Sequence, residues 1–315
     1  MVRRTLLLGV VGLVLAAPAT AECVVATDGL VITTDTVLCP EVYNLPNGIR
    51  IEADNVTLDG NGAVLIGDYT TGSVGVRATG VQGVTVRDLI VRRYNYGMRF
   101  QNCADLTVTD CRIWNTPELP EGNIFLNIFD GPNGSYAHAL WLRGCARPTI
   151  TYNNVWFQQN GISLFECTEA YVAYNEASYN SGWGITLWAT THSLVERNRA
   201  DYCTRDYGGW SGADAASLLM VYESNYNTII DNSFVGGGDG VFLAGATHNQ
   251  QRRPNNHNYF ARNDCSYSPN NGFEATFSGY NVFEDILSDY CIFVYWLGYS
   301  LSTSVLVNQA FLCTT

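Results

Sequence analysis

The sequence contains no lysine, and all 17 of its basic residues are arginines. Acidic residues number 29, so the formal net charge is −12 at pH 7. An acidic surface of this kind repels nucleic acid and anionic lipid, so neither is an expected partner. A polyanionic substrate would need a local arginine patch or a bound divalent cation. The absence of lysine also excludes any reaction that depends on a lysine base.

Several catalytic motifs are missing as well. The sequence has no P-loop, no GxSxG, no HExxH and no CxxC motif, and its four histidines are scattered along the chain. Scattered histidines are not the pattern of a zinc site. After residue 21, no apolar run approaches the roughly 20 residues that a membrane-spanning helix needs. Phosphate-loop, serine-hydrolase and zinc chemistry are therefore not expected, and neither is a membrane partner.

The N-terminus carries the features of a secretory signal peptide. Arg3 and Arg4 precede an apolar run, and Ala19 and Ala21 offer small residues at the −3 and −1 positions of a cleavage site. Residues 1–21 are therefore expected to direct export, and the mature protein is expected to be secreted or periplasmic. No linker rich in Pro, Gly or Ser interrupts the remainder. Residues 22–315 are expected to form one domain, with an N-terminal cap at residues 22–41.

All ten cysteines follow the expected signal peptide. An even number of cysteines in an oxidising compartment predicts disulfides, although the sequence leaves most pairings open. Cys23 and Cys39 are the expected pair at the N-terminal end. Cys103, Cys145 and Cys167 recur at one place in a repeated segment, so disulfides and a ladder of buried thiols are both open for them.

A short phrase recurs along the chain at intervals of about 22 residues. A small residue is followed by an apolar, a variable and another apolar residue in GVRA, GMRF, ALWL, GISL, GITL, AASL, GVFL and GFEA. A second short strand then ends in Asp or Asn, as in VTVRD or VAYN. Strands this short and this regular predict an all-β fold, a parallel β-helix of roughly ten coils with loop insertions. The Asn or Asp corners are expected to form a ladder.

The run NGISLFECTEAYVAYNEASYNSGWGITLW resembles the right-handed parallel β-helix superfamily, in particular its NosD-like and carbohydrate-binding or sugar-hydrolase repeats. The resemblance covers most of residues 42 to 313 and implies a single-stranded right-handed β-helix with the pectin-lyase-like fold. That superfamily includes pectate lyases, polygalacturonases, mannuronan epimerases, phage tailspikes and non-catalytic accessory proteins, so it implies a fold more strongly than an activity. The paired-aspartate and Gly-His-Gly motifs of polygalacturonases are absent.

Two aspartates occupy the same place in neighbouring phrases. Asp214 precedes AASL and Asp239 precedes GVFL. Aligning the phrases places the two aspartates on adjacent rungs, with their backbones about 4.8 Å apart. Two carboxylates this close cannot both ionise freely, which suits the acid and the base of glycosidic cleavage. Asp206, in an inserted loop, is a candidate third carboxylate. Alternatively, the aspartates are corners of a scaffold, or they bind a calcium ion. No other cofactor is expected.

Three insertions, near residues 115–137, 203–213 and 246–257, are expected to surround these aspartates together with outward-facing strand residues. Aromatic rings there would stack on sugars, and arginines would bind hydroxyls or carboxylates. The candidate substrate-binding residues are Tyr207, Trp210, Trp141, Trp188, Arg99, Arg143, His248, Arg252 and Glu274.

The first functional hypothesis is a secreted glycoside hydrolase that cleaves a polysaccharide or oligosaccharide in a surface groove, with Asp214 and Asp239 as the acid/base pair. The enzymatic alternative is a polysaccharide lyase or uronate epimerase with Tyr207 or His248 as the base. The third hypothesis is a non-catalytic glycan-binding or scaffold protein. The sequence carries no signal for the oligomeric state.

Overall fold

Short strands joined by tight corners make up most of the structure. The computed structural model describes residues 22–120, 123, 126–134, 136–207, 210–212, 214–246, 249 and 251–310. Within these ranges there is no α-helix, and hence none long and apolar enough to cross a membrane. Residues 1–21 lie outside the described residues, so the signal peptide stays a prediction.

The strands, numbered β1 to β29 in chain order, form three parallel sheets and one antiparallel ribbon. Sheet I contains β1 (Val31–Ile32), β4 (Ile49–Ile51), β7 (Val74–Thr79), β10 (Tyr96–Gln101), β13 (His138–Arg143), β16 (Asn160–Phe165), β18 (Trp183–Trp188), β22 (Ala216–Val221), β24 (Asp239–Ala244), β26 (Asn271–Thr276) and β28 (Phe293–Trp296).

Sheet II contains β2 (Thr36–Val37), β5 (Thr57–Asp59), β8 (Thr85–Arg87), β11 (Thr107–Thr109), β14 (Thr149–Thr151), β17 (Tyr171–Ala173), β19 (Leu194–Glu196), β23 (Thr228–Ile230), β25 (Tyr259–Ala261), β27 (Val282–Glu284) and β29 (Ser304–Leu306). Sheet III contains β3 (Val42–Asn44), β6 (Val64–Ile66), β9 (Ile90–Arg92), β12 (Arg112–Trp114) and β15 (Asn154–Trp156). The ribbon consists of β20 (Asp206–Tyr207) and β21 (Trp210–Ser211).

The chain visits sheets I, II and III in turn, so each circuit is one coil and each coil stacks on the previous one. Sheets I and II each hold eleven strands, close to the predicted ten coils. After β15, isolated parallel bridges replace the strands of sheet III. The predicted right-handed parallel β-helix is therefore confirmed.

The repeated phrase forms the strands of sheet I, and its apolar residues point into the core as predicted. Pairs such as Met98 and Phe100 on β10, or Ile162 and Leu164 on β16, are fully buried in one continuous core. Strand β22 is the exception to the predicted register. Its Leu218 and Met220, rather than Ala216 and Leu218, lie level with the inward pair of the next strand.

A ladder of buried asparagines joins successive coils at the corner after sheet II. Its members are Asn153, Asn175, Asn198, Asn232 and Asn263. In each step the backbone N–H and the Nδ2 of one asparagine donate to the Oδ1 of the next, at 2.9 to 3.1 Å. The predicted corner ladder is confirmed for these asparagines. Asp88 and Asp110 instead sit on exposed corners with positive φ.

The cysteines divide into one disulfide and a set of buried thiols. Cys23 and Cys39 are bonded, as expected, next to the first strands. Cys103, Cys145 and Cys167 are free and buried in the core, so the thiol alternative is the one that holds for them. Cys313 lies outside the described residues.

Replacing one asparagine of the ladder is expected to destabilise the fold strongly. The Asn198 side chain accepts two hydrogen bonds from Asn175 and donates to two backbone carbonyls and to Asn232. Asn198→Ala leaves several of these buried groups unpaired, at about 1–3 kcal/mol each. We expect a loss of roughly 3–5 kcal/mol in the free energy of unfolding, measured by urea denaturation.

Asn44→Ala, at an exposed position of β3, is the matched control and is expected to change stability by less than about 0.5 kcal/mol. Equal stability of the two variants would show that the ladder does not hold the coils together.

Candidate functional site

Two buried carboxyl groups share one amide on adjacent strands of sheet I. Asp239 begins β24, Asn271 begins β26, and Glu274 follows on β26. The Asn271 backbone N–H and Nδ2 both donate to Asp239 Oδ1, at 3.0 and 2.8 Å. The same Nδ2 donates to Glu274 Oε2 at 2.8 Å. A single amide therefore holds the two carboxyl groups side by side.

Burial keeps both carboxyl groups protonated to unusually high pH. Asp239 is 1% exposed and Glu274 is 7% exposed. Desolvation raises the pKa of Asp239 to about 7, with the Asn271 hydrogen bonds opposing this and the charge of Asp214 adding to it. Desolvation raises the pKa of Glu274 to about 8, and the charges of Asp239 and Asp214 contribute. Glu274 is therefore a proton donor at neutral pH.

Asp214 completes what we call the carboxyl cluster, namely Asp214, Asp239 and Glu274. It precedes β22 by two residues, and the strand partner of Asp239 is Ala216 rather than Asp214. The expected alignment of Asp214 with Asp239 is thus wrong by two residues, although the two charges do interact. Asp214 is half-buried, and burial raises the pKa of its carboxyl group. It is the most accessible carboxyl group of the three.

Close backbone packing positions Asp214. Its φ is 55°, and its carbonyl oxygen accepts a hydrogen bond from Trp183 Nε1 at 2.8 Å. Two residues earlier, Gly212 has a φ of 75° and lies against Gly238, so that an added Cβ would be 2.6 Å from the Gly238 Cα. Glycine at this point lets the inserted loop touch the corner that leads into Asp239.

An apolar cavity is lined by two aromatic residues of the strand next to β26. Strand β28 lies beside β26, with Phe293 opposite Asn271 and Trp296 opposite Glu274. Both aromatic residues are more than half exposed, and they line a cavity of about 330 Å³. Exposed rings next to hydrogen-bonding groups suit the apolar faces of sugars. The recurring phrase did not indicate Phe293 and Trp296 as site residues, because their segment, IFVYWLG, lacks the small residue that begins the other phrases.

The first insertion covers the middle of the outer face of sheet I. Leu126 and Tyr136 of this loop pack with Trp183 and Phe242 in a second apolar cluster outside the core. Arg205 is buried and donates to three backbone carbonyl oxygens of the loop, at 2.6 to 3.0 Å. The expected groove along the whole face is therefore interrupted by the loop.

Two of the predicted sugar-stacking tryptophans have their rings packed against other side chains. Trp141 is 1% exposed and carries the Arg99 guanidinium 4.5 Å above its ring. Trp188 stacks on Tyr222 with ring centroids 4.4 Å apart, and a Cβ added at Gly131 of the loop would be 3.2 Å from its ring. Trp141 is therefore inaccessible to a sugar ring, whereas Trp188 is partly exposed.

The predicted arginine contacts are spread over the surface. Arg99 is on β10 and Arg143 on β13, five and four strands from β24 in the order of sheet I. Arg143 donates to Glu166 at 2.9 Å. Arg252 is exposed and lies 5.3 Å from the Phe277 ring. Of the six predicted substrate contacts whose side chains the structure describes, Glu274 is the one that lies beside Asp239.

Four predicted site residues cannot be placed by side chain. The backbones of Asp206 and Tyr207 form β20, and Tyr207 pairs with Trp210 of β21. The side chains of Asp206, Tyr207 and Trp210, and the whole of His248, lie outside the described part of the chain. Their catalytic and substrate-binding roles stay predictions.

A family model described as "Periplasmic copper-binding protein (NosD)" matches residues 28–284. The chain belongs to the NosD family. Curated protein sequences include no significant match to it. The described residues of this NosD family member do not fit a bound copper ion, because they contain no group of three or more His, Cys, Asp or Glu side chains that could hold a metal. Calcium at the carboxyl cluster stays a prediction.

Solved structures share the fold of this NosD family member at low sequence identity. A variant of the periplasmic alginate epimerase AlgG has a TM-score of 0.58 at 9% identity, covering 89% of this chain and 76% of the epimerase. An alginate lyase from Paenibacillus sp. str. FPU-7 has a TM-score of 0.57 at 12% identity, covering 91% and 100%. The Dettilon tailspike protein has a TM-score of 0.52 at 10% identity, covering 90% and 56%. These likenesses show the fold alone.

The carboxyl cluster is expected to make the fold less stable as pH rises from about 6.5 to about 8. Because the pKa of Glu274 rises to about 8 and that of Asp239 to about 7 on folding, the native state binds more protons than the unfolded state in this window. Burial lowers the pKa of His138 to about 3, so this residue changes the stability only below its ordinary pKa of 6.5, outside this window. We expect a loss on the order of 2 kcal/mol between these pH values.

The measurement is the free energy of urea unfolding at both pH values. Glu274→Gln should flatten the loss, whereas Glu284→Gln, which removes a half-buried carboxyl group on sheet II, should leave it unchanged. A loss of the same size in Glu274→Gln and wild type would contradict the assignment of this pH dependence to Glu274.

Proposed function

We propose that this NosD family member is an exported carbohydrate-active enzyme, and that the carboxyl cluster carries out glycoside hydrolysis. The observation that carries the proposal is a protonated Glu274 held beside Asp239 by Asn271, next to an aromatic cavity. Glycosidic cleavage needs one carboxyl group that keeps its proton at neutral pH and another that is ionised. The disulfide and the periplasmic description of the family support export.

Burial divides the roles among the three carboxyl groups. Glu274, with a pKa of about 8, is the general acid that protonates the leaving oxygen. Asp214 is the most accessible of the three, so we assign it the role of base or nucleophile. Asp239 is almost fully buried and contacts Asn271, so we assign it the positioning of that amide and, through it, of Glu274. This modifies the expected pairing of Asp214 with Asp239 as acid and base.

The aromatic cavity supplies the sugar contact in this proposal. Trp296 lies opposite Glu274 and Phe293 lies opposite Asn271, so a sugar stacked on these rings would have its glycosidic oxygen near the Glu274 carboxyl group. The backbone of the β20–β21 ribbon enters the corner just before Asp214. Tyr207 and Trp210 of that ribbon remain candidate contacts on the other side of the sugar.

A lyase or epimerase acting on a uronate is the second candidate. A carboxyl group that stays protonated, as Glu274 does, can donate a hydrogen bond to a uronate carboxylate and stabilise the charge that develops during proton abstraction. Two of the structures that share the fold are described as an alginate epimerase and an alginate lyase, which favours this candidate. The base would then be Tyr207 or His248.

Both candidates are tested by assaying a panel of neutral and uronate polysaccharides for new reducing ends and for ultraviolet absorbance of an unsaturated product. For a hydrolase we expect reducing ends without absorbance. Glu274→Gln and Asp214→Asn are expected to lose roughly 100-fold or more in kcat, since general acid–base catalysis contributes about that much. Glu284→Gln is the matched control and should retain the wild-type rate.

Asp239→Asn separates positioning from direct catalysis. Because the charge of Asp239 raises the pKa of Glu274, its removal should shift the alkaline limb of the pH–rate profile to lower pH, with a smaller loss of kcat. Absorbance of an unsaturated product would indicate elimination, and a changed uronate composition in the polymer would indicate epimerisation. No turnover on the panel, with glycan binding equal in all variants, would contradict an enzymatic role for the carboxyl cluster.

A further inference from the structure

Three arginines form a column on the outer face of sheet I, near its N-terminal end. Arg50 on β4, Arg77 on β7 and Arg99 on β10 are direct partners in the strand register. Neighbouring strands lie about 4.8 Å apart, so these side chains leave consecutive rungs in the same direction. Like charges placed opposite each other in this way destabilise a sheet unless an opposite charge is present.

Two of the three arginines in the column have no ion-pair partner. Arg50 pairs with Glu52, but neither Arg77 nor Arg99 forms an ion pair with any residue that the structure describes. Elsewhere on sheet II, arginines such as Arg87 pair with an aspartate one coil away. Other exposed arginines, such as Arg93 and Arg112, also lack an ion pair among the described residues, but neither has a second arginine as its partner in the strand register.

Arg99 is held in a fixed orientation. Its guanidinium lies 5.2 Å from the centre of the Tyr96 ring and 4.5 Å from that of Trp141. Contact with two rings fixes the plane of the guanidinium and leaves its N–H groups, which lie in that plane, available to an acceptor. A guanidinium ordered in this way is suited to bidentate binding of a planar carboxylate.

Two adjoining cavities share the Arg77 side chain. One, of about 260 Å³, is lined by Arg77 together with polar residues that include Thr70, Thr71 and Ser73. The other, of about 230 Å³, is lined by Arg77, Arg99 and polar residues that include Thr79 and Gln101. Each volume is several times the roughly 30 Å³ that one water molecule occupies in the liquid. The Asp68 carboxylate also lines the first cavity, whereas the second combines Arg77 and Arg99 with hydroxyl and amide groups and has no acidic residue in its lining. The carboxylate of a ligand is therefore expected in the second cavity, and the space is large enough for more than a small inorganic anion.

We propose that Arg77 and Arg99 form a binding subsite for the carboxylate of an acidic sugar, with the hydroxyl and amide groups of the two cavities binding the sugar hydroxyls. This subsite is five strands, or about 24 Å, from Asp239 along sheet I, and the loop over the middle of the face lies between the two. It is therefore separate from the carboxyl cluster, and it does not depend on the proposed hydrolysis.

The test is calorimetric titration of the full chain with a trimer of galacturonate, with a neutral glucose trimer and sodium sulfate as comparison ligands. We expect the galacturonate trimer to bind, and its affinity to fall as salt rises, because the interaction is between charges. Arg77→Gln is expected to weaken binding about tenfold or more, as is Arg99→Gln, since each removes a charge-assisted hydrogen bond.

Arg112→Gln is the matched control, because Arg112 is an exposed arginine on sheet III, and it should bind as wild type does. Arg77 contacts neither Tyr96 nor Trp141 in the ring pairs described, so Arg77→Gln keeps the test valid if Arg99→Gln folds poorly. Glu274→Gln should also bind normally, which separates this subsite from the carboxyl cluster.

Equal affinity in Arg77→Gln and wild type would overturn the proposal. So would tight binding of the neutral trimer. If sulfate binds as tightly as the galacturonate trimer and loses affinity in the same variants, the site takes a simple anion and the assignment to an acidic sugar is wrong.

Discussion

The stacking of one coil on the next through buried asparagines is the constraint on which the rest of this structure depends. Each inner asparagine of the ladder, namely Asn175, Asn198 and Asn232, accepts two hydrogen bonds from one neighbour and donates to the other, so these coils must follow nearly the same path at that corner. Extra residues can leave the path only where the ladder does not pass. The first and second insertions precede strands of sheet I and the third follows β24, so none of them lies at the corner between sheets II and III where the ladder runs. Asp214 of the carboxyl cluster follows the second insertion directly.

The same constraint explains what could be predicted from the sequence. Small residues and alternating apolar residues must recur at coil spacing for the rungs to stack, so the phrase, the core positions and the asparagine corner could be recognised without a structure. Glu274 could be identified as an outward residue beside Asp239 on the same grounds. These features follow from a repeating backbone, and a repeating backbone leaves a repeating pattern.

The features that could not be predicted arise where the repeat is broken. AASL and GVFL match equally well in two registers that differ by two residues, because a shift of two keeps the inward and outward alternation. In the observed register Gly212 packs on Gly238, and Gly212 belongs to a loop with no periodic pattern. The path of the first insertion over sheet I could not be predicted for the same reason, since its residues carry no periodic pattern. The role of Asn271 depends on three side chains from two coils, and no single phrase contains it.

Repetition also has a consequence for how such a chain can change. Each coil that contributes an asparagine to the ladder presents the same donors on one side and the same acceptors on the other. If one such coil is duplicated or deleted in evolution, the hydrogen bonds between the coils that then become neighbours can form again. Coils between β10 and β24 separate the Arg77 and Arg99 subsite from the carboxyl cluster. Gain or loss of one coil there would alter their spacing by one strand width while leaving both sets of side chains intact. The protein could in this way be adjusted to ligands of different length in fixed increments.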